Sequence, residues 1–162
     1  MNFRTNLPGA NDFDFVIGDW QVQHRQLKSR LTGCTEWLEF EGYSRTHKIL
    51  GGLGNLEDNI LEKPDGSYRA AALRSFDVQK GCWSIWWLDG RSPRAMEPPV
   101  VGGFVEGVGN FYCDDVLDGR PIKVRLTWIS RDAERPHWEQ AFSADGGETW
   151  ETNWLMEFSR AA

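Results

Sequence analysis

The chain has 162 residues, 40% of them hydrophobic and 26% charged, with a net charge of −6; this is enough for one domain, residues 1–162, with a real core. An acidic chain has no electrostatic reason to seek phosphate backbones or anionic bilayers, which excludes nucleic acid and membrane as expected partners. Nine Trp, nine Phe and three Tyr make aromatic area the main resource, for a core or for the wall of a ligand pocket.

The N-terminal stretch 1–9 carries Arg4 but no apolar run, so neither a signal peptide nor a membrane span is expected, and cytoplasm is the expected location. Residues 11–17 suit a short helix, with Phe13 and Ile17 on one face and Asn11 or Asp12 as its cap. From there on Gly and Pro punctuate the chain at short intervals, and the runs between them alternate with a period of two. The first strand spans 18–31, with Trp20, Val22 and His24 on one face and Gln21, Gln23 and Arg25 on the other. Thr32-Gly33 turns it into 36–50, kinked at Gly42. A flexible break at 51–54 precedes strands 55–62 and 67–76, joined by the strong Pro64-Asp65-Gly66 turn. Gln79-Lys80-Gly81 leads into 82–88.

A charged, Pro-rich loop covers 91–98. Strands 100–106 and 110–114 flank Gly107 and Gly109, and Asp118-Gly119 forms a hairpin turn into 122–131. Strands 137–143 and 149–158 make the last hairpin around Asp145-Gly146-Gly147. The count is eight to ten strands. Serial hairpins in this number predict an all-β, antiparallel, up-and-down lipocalin-like barrel, preceded by a short helical turn. Alternation alone leaves a two-sheet sandwich open, because both folds have one buried and one wet face per strand.

The pieces Phe13-Asp14-Phe15-Val16-Ile17-Gly18-Asp19-Trp20, Leu53-Gly54-Asn55, Leu73-Arg74-Ser75-Phe76-Asp77 and 83–89, then 138–143 and 150–154, occur in an order that resembles the bacterial family DUF1579. That resemblance spans nearly the whole chain. It implies a calycin-type barrel of unknown function and carries no catalytic residues with it. Gly18-Asp19-Trp20 also resembles the Gly-x-Trp that opens fatty-acid-binding proteins and secreted lipocalins. The paired cysteines of the secreted group are missing: Cys34, Cys82 and Cys113 are odd in number and far apart, with no CxxC.

Ser143-Ala144-Asp145-Gly146-Gly147-Glu148-Thr149-Trp150 matches the Asp-box pattern of sialidase-type propeller blades. One copy in a short chain predicts only a turn, in which Asp145 accepts backbone N–H groups and Trp150 packs the base. Trp83 and Trp87 share a strand face and Trp86 points away from it. Core packing and a ligand wall both account for the first two, and Trp86 on the outside predicts a weak tendency to form a homodimer. Arg74, beside Ala70, Ala71 and Ala72, either faces a cavity with an anion or lies outside; Arg125 alternates with Lys123 and Thr127 and reads as solvated. Glu139, Ala141, Ser143, Glu151 and Asn153 form the outer face of the last hairpin, and Gln140 and Thr152 lie inside beside Trp138 and Trp154.

His24, His47 and His137 show no metal-binding spacing, and one His at 137 does not make a haem site. No P-loop, nucleophile elbow or dinucleotide fingerprint is present. No cofactor and no metal are therefore expected. Three function classes remain, in order of preference. The first is a binding barrel for a small apolar or aromatic molecule with an anionic or carbonyl end. The second is a cofactor-free isomerase, cyclase or lyase using a pocket His or carboxylate as general acid/base. The third is an oligomer subunit with a filled barrel. For the first, the expected ligand-binding residues are Trp20, His24, Arg74, Trp87, Trp138, Gln140, Thr152 and Trp154, with Arg74 as the polar end.

Overall fold

The alternating runs fold as ten strands in the computed structural model, which describes residues 7–161. They are β1 (Gly18–Leu27), β2 (Trp37–Ile49), β3 (Gly54–Lys63), β4 (Gly66–Asp77), β5 (Cys82–Asp89), β6 (Val100–Val105), β7 (Val108–Leu117), β8 (Arg120–Ile129), β9 (His137–Ser143) and β10 (Glu151–Arg160). Each strand pairs antiparallel with its sequence neighbours. β1 also pairs with β10, from Trp20 opposite Arg160 to Gln26 opposite Trp154. The sheet closes on itself as an up-and-down barrel, which removes both edges and decides against the sandwich. No helix among the described residues is long and apolar enough to cross a membrane.

Several boundaries differ from the sequence reading, each for a local reason. The helix expected over 11–17 is a single 3-10 turn, Asp14–Val16, and its cap position is Phe13 with no side-chain cap bond. Successive three-residue backbone bonds, such as Asp14 N–H to Asn11 O at 3.0 Å, and burial of Phe13 and Val16 in the barrel end together fix this segment. β1 ends at Leu27, after which the chain makes one more bond to the β2 side, Lys28 N–H to Glu36 O at 3.0 Å, and leaves the ladder. β2 runs through Gly42 in register with Val22 and Leu61, without the expected break. A Cβ at Gly42 would lie 2.7 Å from the Ile60 carbonyl oxygen and 2.8 Å from His24 Nε2, so that position needs a glycine for close packing. The β6–β7 turn is Glu106-Gly107, with φ of 50° and 80°. Gly109 belongs to β7, and its missing side chain leaves room for the rings of Phe104 and Phe111.

The two ends of the barrel differ. Residues 7–17 cross one end as a floor. Trp83 Nε1–H donates to Gly9 O (2.9 Å) and Trp20 Nε1–H to Val16 O (2.8 Å). The Phe13 ring sits among Trp83, Phe104 and Phe111 with centroids 5.0, 4.9 and 5.6 Å away. At the opposite end lie the loops 28–36, 90–99 and 144–150. In the last of these the single Asp box is a turn: Asp145 accepts from the Thr149 hydroxyl, from Thr149 N–H (2.9 Å) and from Ser143 Oγ–H (2.7 Å). These bonds hold its carboxyl down at about 2. Trp150 donates to Gly147 O and carries the Arg125 guanidinium 4.5 Å above its ring, on the outer surface.

Candidate functional site

The inner faces of the strands do not fill the barrel. Between floor and mouth lies a cavity of about 420 Å³, well within the size range of small-molecule sites. The filled-barrel reading is thereby set aside.

The cavity has two unlike walls. Strands β5 to β10 supply an aromatic and aliphatic side that includes Trp87, Trp128, Trp138, Phe142 and Trp154. Trp154 meets Trp138 edge to face at 5.2 Å and Trp87 at 5.9 Å, so the central indole braces the other two at right angles. Strands β1, β3 and β4 supply a polar side that includes Gln26, Glu57, Tyr68 and Arg74. The inward residues of β3 are Asn55, Glu57, Asn59 and Leu61, while Leu56 and Ile60 point outward.

Arg74 is buried on β4 at the base of this polar wall, and it is already paired. Its Nη2 binds the Glu57 carboxylate and its Nη1 donates to Asn55 Oδ1 at 2.8 Å. The guanidinium also lies over the rings of Phe13 and Trp128. The expected free cation at the inner end is thus a neutral ion pair built into the wall. An unpaired guanidinium buried this deeply would be very costly, which is the physical reason for the partner.

Of the other residues expected at the site, Trp87, Trp138, Gln140 and Trp154 line the cavity with Arg74. Trp20, His24 and Thr152 do not. Trp20 faces inward as its parity requires, but at the level of the floor, where it packs on Phe158 and under Arg160. His24 stands one layer behind the wall. Its ring stacks on Phe40 at 4.6 Å, and its Nδ1 accepts a hydrogen bond from Trp154 Nε1–H at 3.1 Å. Burial pushes its pKa down to about 3. At ordinary pH it is a neutral imidazole that orients Trp154, and it does not reach a guest to exchange a proton. Thr152 is displaced by a β-bulge. The β9–β10 register shifts between Thr152 and Trp154, so Thr152 stands opposite Ala141 on the outer face. The extra residue, Asn153, is fully buried instead of exposed, and Gln140 Nε2–H donates to its Oδ1 at 2.8 Å.

The mouth carries groups that the sequence reading missed. Arg91 binds Asp89 through two nitrogens, with Nη2 to Oδ2 at 2.8 Å, and lies 3.5 Å above the Tyr68 ring. Arg30, from the loop after β1, lies 5.6 Å from the Phe142 ring. Glu97, from the 90–99 loop, and Asp115, near the end of β7, also line the cavity there. Burial and the nearby Asp115 charge hold the Glu97 carboxyl above the ordinary carboxylate range.

Fold and cavity together define a closed antiparallel barrel of ten strands with one plugged end, one open end and a two-faced chamber between them. Among solved structures the chain is similar to the S-type phycobiliprotein lyase CPES from Guillardia theta, with a TM-score of 0.65 over 97% of this chain and 94% of that one, at 7% identity. At that identity the likeness shows the fold alone. No protein-family model matches the chain. No curated protein matches it either.

Proposed function

We propose that the protein binds a small apolar or aromatic molecule with an anionic or carbonyl end. The observation that carries this reading is a chamber of about 420 Å³ between the indoles of Trp87, Trp138 and Trp154 and a polar wall that holds the Arg74–Glu57 ion pair. Trp87, Trp138 and Trp154 offer stacking area, while Gln26 and Gln140 offer neutral amides to a carbonyl. A barrel of the same architecture in a phycobiliprotein lyase fits a role in handling a small molecule. His24 is held off the cavity, which favours binding over acid–base chemistry by that residue. In this reading the protein is a cytoplasmic member of the DUF1579 family.

The test is a fluorescence titration with the uncharged probe N-phenyl-1-naphthylamine, read by energy transfer from the cavity tryptophans. One probe is expected to bind per barrel. Ala72 is buried and lines the chamber, so Ala72→Phe puts a ring into the empty volume and is expected to abolish binding without loss of the barrel's circular dichroism. Binding that survives Ala72→Phe would place the probe elsewhere and sink the reading.

The same proposal includes a weak homodimer. Leu56, Leu73 and Trp86 stand in one register row on the outer faces of β3, β4 and β5, an apolar stripe that a second copy can cover. Sedimentation is expected to show concentration-dependent association that Trp86→Lys removes; a monomer at high concentration would contradict it.

A further inference from the structure

Three arginines line the cavity, and two are already ion-paired. Arg74 is neutralised by Glu57 at the base, and Arg91 by Asp89 at the rim. Arg30 differs. Among the described residues its side chain makes no ion pair and no hydrogen bond, although it is partly buried against the Phe142 ring. A guanidinium does not shed its proton, so a desolvated and unpaired one keeps an unmet demand for an anion. Burial works against its charge, and the nearest carboxylate influence, Glu97, acts from a distance without contact. Of the other charges lining the mouth, Arg91 is held by Asp89 and Asp115 accepts the Val116 N–H, which leaves Arg30 as the lining cation without a partner among the described residues.

Resting on the binding reading above, we infer that Arg30 receives the anionic head of the ligand, so that the cavity takes an amphipathic monoanion, a hydrophobic or aromatic carboxylate or sulfonate, apolar end first. The indole chamber lies below Arg30 and accommodates the body. The head stays at the mouth, under the 90–99 loop. Glu97 on that loop opposes it and tunes the affinity downward.

The experiment compares 1-anilinonaphthalene-8-sulfonate with N-phenyl-1-naphthylamine, which has the same aromatic body and no charge. Arg30→Gln is expected to weaken the sulfonate probe about tenfold or more, the usual effect of losing a charge-assisted hydrogen bond. The uncharged probe is expected to stay within about twofold, since apolar contacts below the mouth are untouched. Arg30→Lys keeps the charge and is expected to retain most of the affinity. Glu97→Gln is expected to act in the opposite direction and tighten the sulfonate probe alone. If Arg30→Gln leaves the sulfonate affinity unchanged, or weakens both probes equally, Arg30 is not the anion receiver and the binding reading still stands. If the uncharged probe fails to bind the unaltered protein, the binding reading itself falls, and this inference with it.

Discussion

Arg74→Met, with Glu57 left in place, is expected to destabilise the fold by about 3–5 kcal/mol, the cost of stranding one member of a buried ion pair. Glu57 is 3% exposed and would lose its main counter-charge in a site that water scarcely reaches. The double variant Arg74→Met, Glu57→Leu removes both charges and is expected to recover most of that loss, because two apolar side chains of similar volume replace a pair whose desolvation penalty offsets its attraction. Urea unfolding followed by tryptophan emission measures all three proteins. A single variant as stable as the parent would show that Glu57 discharges or finds water, and that the pair does not organise the polar wall. Asn55 gives a finer check, since its side-chain oxygen holds the other terminal nitrogen of Arg74.

Phe13→Ala is expected to be equally severe, about 3–5 kcal/mol for a buried ring replaced by a methyl group. Phe13 is 1% exposed and touches five aromatic neighbours from the floor segment and from β5 to β8. The hole it leaves is bounded by large rigid rings, which limits collapse. Phe15, only partly buried in the same segment, serves as the control: Phe15→Ala is expected to cost clearly less. Equal losses in the two variants, by urea midpoint, would mean that the floor is held by its backbone bonds to Trp83 and Trp20 and not by the Phe13 ring.

The hairpins were legible in the sequence because their signals are local. Pro64-Asp65-Gly66 and Asp118-Gly119 reverse the chain where expected, and the alternation between them reads as strand. Alternation reveals that a strand has two faces, but not always which one is inside. On β3 the polar set Asn55, Glu57, Asn59 is buried inside, and Arg74 across the sheet holds the first two. No local pattern announces that pairing. Parity also stops at a bulge: one extra residue at Asn153 sends Thr152 outward, though Trp154 and Gln140 stay at the cavity. For Trp20 and His24 parity gave the correct face but neither the height along the barrel nor the layer. Arg30 falls inside the first strand expected over 18–31, but β1 ends at Leu27, and it is the folded loop that brings Arg30 to the mouth.

The floor segment and the last strand leave the barrel at the same end. Residue 7 enters there, and Arg160 stands opposite Trp20 beside it, with the Arg160 Nη1 donating to Ile17 O at 2.8 Å. The first and last described residues therefore both lie at the plugged side, away from the opening. A guest approaching the chamber thus passes neither end of the described chain and meets the loops 28–36, 90–99 and 144–150 instead.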